Sequence, residues 1–71
     1  MSNPINIKFG QKLRVLRKAQ GITQEKLSEM IKTSYKYIQR IEGKTPPDIR
    51  LSTIERIAKA LKVKSHKLID F

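Results

Sequence analysis

Lys36, Gln39 and Arg40 place two cations and an amide on one side of any helix that contains them, because each residue turns an α-helix by about 100°. Their chemistry is hydrogen-bond donation to acceptor-rich partners. Lysine and arginine donate to guanine O6 and N7, a glutamine can read the neighbouring base, and the cations also suit phosphate. Ile38 and Ile41 fall on the opposite side with Ser34, and Tyr35 and Tyr37 lie on the flanks. A helix of this length is not stable by itself, so its apolar stripe must pack on neighbours while the polar side faces outward. The ordinary alternative is a surface helix whose polar face is merely solvated.

The elements that would hold this face are legible on both sides. Residues 22–44, ITQEKLSEMIKTSYKYIQRIEGK, predict two short helices around a polar turn. The first runs from about Gln24 to Ile31, with Leu27, Met30 and Ile31 at helical spacing, Thr23 as its N-cap and Glu25 in its positive first turn. The second runs from about Tyr35 to Glu42, capped by Ser34. Upstream, Ile5, Phe9, Leu13 and Leu16 make one amphipathic helix from about Pro4 to Gln20, with Pro4 in its first turn and Gly21 at its stop. Downstream, Pro46-Pro47 enforces a loop. Leu51, Ile54, Ile57/Ala58 and Leu61 then form a fourth helix, started either by Asp48 as a cap or by a Ser52…Glu55 capping box. Ser65 is read as the cap of a last short helix, His66 to about Asp70, that buries Leu68. No alternating strand pattern of useful length occurs. The expected fold is all-α, a compact five-helix domain spanning residues 1–71.

The central segment resembles the helix-turn-helix of lambda-repressor-like regulators, the Xre family. The matching residues are Thr23-Gln24-Glu25, Leu27, Thr33-Ser34, Ile38…Ile41 and Glu42-Gly43-Lys44. Leu13…Leu16-Arg17 and Pro46…Ile54…Ile57-Ala58…Ala60-Leu61…Val63 are similar to the family's first and fourth helices, so the resemblance covers roughly residues 7–70. Two positions depart from it. Ser28 stands where a smaller residue is usual. Lys32 stands where the turn often has glycine, which implies a left-handed lysine at a cost of roughly 1–2 kcal/mol.

The resemblance implies a sequence-specific binder of duplex DNA with the Tyr35–Glu42 helix in the major groove. Tyr35, Lys36, Gln39 and Arg40 would read bases, with Tyr35 where the family's helix first meets base edges. Thr23, Gln24, Ser34 and Lys44 would position the domain on phosphates, aided at Gln24 by the helix terminus. Tyr37 is open to two readings: a phosphate contact, or a ring half-buried in the core with its hydroxyl wet. Arg17 and Glu42 match a pair of positions that commonly form a partly buried ion pair in the family, with a structural role. One recognition helix reads few base pairs, so a homodimer on a palindromic operator is expected. Ile69, Phe71 and the adjoining helix are the candidate interface. A bare regulator such as a small phage repressor or a restriction–modification controller fits best.

Composition narrows the alternatives. Sixteen Lys and Arg against six acids give a net charge of +10 and a pI near 10.3, which favours a polyanionic partner. Without cysteine, and with His66 alone, no disulfide or zinc site is expected; nor is a cofactor or a small-molecule ligand. No run approaches the ~18 apolar residues of a membrane span, and Met1-Ser2-Asn3-Pro4 lacks the regions of a signal peptide, so a cytoplasmic protein is expected. Three competing classes remain. An antitoxin would use the same fold plus a toxin-binding surface. A membrane binder would need its charge along one long helix. An enzyme would need a catalytic group with a partner, and no such pairing is recognisable here.

Overall fold

The computed structural model describes residues 3–71; Met1 and Ser2 of the N-terminal tetrapeptide lie outside the described residues. Within them the chain forms α1 (Pro4–Ala19), α2 (Gln24–Met30), α3 (Tyr35–Ile41), α4 (Leu51–Leu61) and α5 (Ser65–Leu68), with no strand. The expected last residues of the first three helices, Gln20, Ile31 and Glu42, are their C-caps instead.

Side-chain caps start the first three helices. Asn3 accepts from the Ile5 amide at 3.1 Å, ahead of Pro4. Thr23 accepts from the Lys26 amide at 3.0 Å and Ser34 from the Tyr37 amide at 3.1 Å. The two proposed starts of α4 both fail. Its N-cap is Arg50, with no side-chain cap, and Asp48 accepts from the Asn6 amide group at 2.7 Å instead. A tertiary partner has taken the carboxylate that local sequence offered to the helix. Ser65 is likewise not a cap but the first residue of α5, which Lys64 precedes.

Three helices end with one hydrogen-bond pattern. At Gly21, Lys32 and Lys62 the backbone turns left-handed, with φ of 69°, 57° and 57°. The following amides, those of Ile22, Thr33 and Val63, reach back to the carbonyls of Arg17, Ser28 and Ala58. Lys32 therefore adopts the strained conformation its sequence position implied, and Lys62 does so as well. Other carbonyls at helix ends receive side chains: Gln20 Nε2 donates to Leu61 O at 2.6 Å, and Arg56 donates to Ile31 O.

Phe9, Leu13, Leu27, Ile31, Ile38, Ile41, Ile57, Ala58, Leu61 and Leu68 form one buried cluster, so every helix contributes to the core. Ile5 and Leu51 do not join it, being 57% and 84% exposed. Both line a surface groove with Ile54, Ile69 and Phe71 instead. Periodicity identified the stripe but not how far along it burial extends. Met30 also lies at the rim rather than inside, at 40% exposure.

Gly10 has the tightest constraint. A Cβ built there would sit 2.1 Å from the Ile41 carbonyl oxygen, so α1 and the end of α3 touch through backbone. Glycine inside an exposed helix normally costs about 0.5–1 kcal/mol relative to alanine. Here the sign reverses: Gly10→Ala should destabilise the fold by about 1–3 kcal/mol through overpacking, measured by urea unfolding. A stabilised variant would show that this backbone contact does not exist in solution.

Candidate nucleic-acid interface

The outward side of α3 is built as its pattern implied. Ile38 and Ile41 are fully buried, while Lys36, Gln39 and Arg40 are exposed and make no side-chain hydrogen bond or ion pair with any described residue. Tyr35, at the first position of α3, is 46% exposed. Tyr37 is half-buried and packs against the core cluster.

The polar residues around α3 have parts of their bonding capacity in reserve. The hydroxyl oxygens of Thr23 and Ser34 accept backbone amides as caps, leaving each O–H free to donate outward. Lys44 is exposed in the loop after α3. Gln24 is half-buried and donates one amide hydrogen to Glu42 Oε1 at 3.0 Å, which fixes its side chain and leaves a second hydrogen. Ser28 is buried with its hydroxyl on the Glu25 carbonyl at 2.6 Å, so the substitution of a polar residue there is satisfied locally.

Arg17 and Glu42 form the expected pair. Arg17 Nε donates to Glu42 Oε2 and its terminal nitrogen to Oε1, both at 2.8 Å, and the other terminal nitrogen donates to the Ile22 carbonyl at 2.7 Å. The side chains are only 8% and 2% exposed. The hydrogen bonds to Glu42 raise the Arg17 pKa above its already high ordinary value, burial opposes them, and the Glu42 charge adds to the rise. Arg17 is thus a fixed cation whose charge is spent inside the protein.

A helix-turn-helix family model matches residues 13–68, the region containing the pair, the turn and the outward face of α3. The chain belongs to the Xre-type helix-turn-helix family. It is a DNA-binding transcription regulator of that family. Control protein C.BamHI of Bacillus amyloliquefaciens is 40% identical over 72 residues, covering 100% of this chain and 88% of its own. The restriction-modification controller protein C.AhdI from Aeromonas hydrophila superposes with a TM-score of 0.83 at 33% identity, over 89% of this chain and 94% of that one. A hypothetical transcription factor, NHTF from Neisseria, superposes at 0.85 with 29% identity, over 92% and 72% of the two chains. No helix among the described residues is long and apolar enough to cross a membrane.

The pair gives a specific stability signature. Glu42→Ala leaves a buried guanidinium without its carboxylate and should cost about 3–5 kcal/mol. Replacing both partners, Arg17→Met with Glu42→Leu, should cost less than that single change, because no uncompensated charge remains. Urea titrations of both variants check this. A double variant at least as unstable as Glu42→Ala would contradict the account of the pair as a desolvated charge bond.

Proposed function

We propose that this protein binds a specific palindromic operator as a homodimer, with α3 in the major groove, and regulates transcription in the manner of a restriction–modification controller. The observation that carries the reading is the uncommitted donor set Lys36, Gln39 and Arg40 on a helix whose other side is fully buried. Lys36 and Arg40 donate to guanine edges, and Gln39 and Tyr35 read adjacent positions. Thr23, Gln24, Ser34 and Lys44 hold phosphates, and Tyr37 joins them through its hydroxyl while its ring stays packed. The protein acts by binding rather than catalysis, in the cytoplasm on the nucleoid. The sequence relatives that are controller proteins support the regulatory class.

A groove of about 370 Å³ supports the dimer. Ile5, Phe9, Leu51, Ile54, Ile69 and Phe71 line it, so the exposed first turns of α1 and α4 meet the chain's C-terminal apolar residues on one surface. A contiguous apolar patch of this kind suits a partner surface, and a second copy gives a self-complementary one.

Selection from random duplex DNA should enrich a palindrome with half-sites about one helical turn apart. Arg40→Ala should cost about 1–3 kcal/mol on that site and relax the preference at one base pair per half-site, measured on a one-base substitution series. An equal loss on every sequence would make Arg40 a backbone contact.

The groove is tested separately. Leu51→Lys changes a residue 84% exposed, so it cannot damage the core. It should shift the protein toward monomer in sedimentation equilibrium with helicity intact, as should Ile69→Ser with Phe71→Ala. A dimer unaffected by either change would place the interface elsewhere.

A further inference from the structure

Two surface clefts flank the base-facing helix, and Arg14 is the one residue that lines both. The first, about 500 Å³, is bordered by Arg14, Arg17, Thr23, Gln24, Glu25 and Tyr35. The second, about 510 Å³, is bordered by Ile7, Gln11, Arg14, Glu42, Gly43 and Lys44. Arg14 lies one turn before Arg17 on α1, yet the two arginines are committed differently. Arg17 is buried with its nitrogens on Glu42 and Ile22. Arg14 is exposed, and its side chain has no hydrogen bond or ion pair with any described residue.

Charge accounting at these clefts singles out Arg14. Arg17 and Glu42 cancel each other, so the first cleft retains one free cation, Arg14, and one free carboxylate, Glu25, which forms no ion pair with it. The second retains Arg14 and Lys44. Neutral donors converge on the first cleft as well: the Thr23 hydroxyl, the second Gln24 amide hydrogen and the Tyr35 phenol. A guanidinium with all its donors free, between the start of α2 and the loop after α3, is suited to a phosphodiester oxygen.

We propose that Arg14 is a phosphate ligand of the DNA backbone, bridging the contacts made from α2 to those made from the loop at Lys44. This rests on the DNA-binding reading above and adds a contact from α1 to it. The contact carries no sequence information and sets the height at which α3 sits in the groove.

The full chain, wild type and as Arg14→Ala, Arg14→Lys and Lys59→Ala, is titrated with random-sequence duplex DNA across a salt series. Lys59 is exposed on α4 and borders neither cleft, so its loss removes the same charge without the contact. Arg14→Ala should lower the slope of log affinity against log salt by about 1 per chain, whereas Lys59→Ala should leave it near the wild-type value. Arg14→Lys should keep the slope while weakening affinity, since an ammonium retains the charge but not the planar fork. Selection from random DNA should enrich the same motif with Arg14→Ala as with the wild type.

Equal slopes for Arg14→Ala and Lys59→Ala would reduce Arg14 to a contributor to the overall field and overturn the inference. So would a changed motif, which would make Arg14 a base reader, or a lowered thermal transition of Arg14→Ala, which would make it structural. A wild-type chain that binds no duplex DNA overturns the DNA-binding reading and this inference together; intact wild-type binding with matched slopes overturns the inference alone.

Discussion

The bond between Arg17 and Glu42 is where α1, the start of α2 and the end of α3 are tied together. Arg17 uses one nitrogen on the carbonyl of Ile22, just ahead of α2, and two on Glu42, the C-cap of α3. Glu42 also accepts Gln24 from the first turn of α2. Removing two charges from water offsets much of what their attraction contributes, so such a pair adds little net stability compared with an apolar replacement. Its consequence is geometric. A bidentate guanidinium–carboxylate contact fixes direction as well as distance, which sets the orientation of a seven-residue helix that could not hold itself.

That bond depends on a second constraint without charge. Gly10 lets the Ile41 carbonyl approach α1 more closely than any side chain would allow. The residue after Ile41 is Glu42, so the backbone contact and the ion pair act on the same end of α3. Among the described residues no buried side-chain polar atom lacks a partner, even with an arginine inside so small a core. The buried polar groups are therefore a completed network rather than a reservoir of strain.

Neutralisation inside has an effect outside. With Arg17 and Glu42 cancelled, the field at the proposed DNA-facing side arises from residues that make no internal bond: Arg14, Lys36, Arg40 and Lys44. A net charge of +10 on 71 residues repels itself in the compact state, and a polyanion would relieve that repulsion while adding contacts. Two lysines held left-handed at helix ends add backbone strain to the same balance.

Much of this architecture is legible in the sequence. Helical period placed Leu13, Leu27, Ile38, Ile41, Ile57 and Leu61 inside, because a stripe of that kind has only one favourable place to go. Capping chemistry placed the starts of α2 and α3, since Thr23 and Ser34 act on amides three residues away. The family pattern supplied the Arg17–Glu42 pairing. The failures share a cause. Asp48 was taken by Asn6, 42 residues distant, and Leu51 and Ile5 line a surface groove with Ile69 and Phe71 rather than joining the core. The closeness of Gly10 to Ile41 and the place of Arg14 between two clefts also depend on how α1 crosses α3. Sequence by itself determined which residues turn inward and where most helices begin, because both follow from interactions within a few residues. Only tertiary structure decided which polar groups are consumed inside and which remain free, because that depends on partners far apart in the chain.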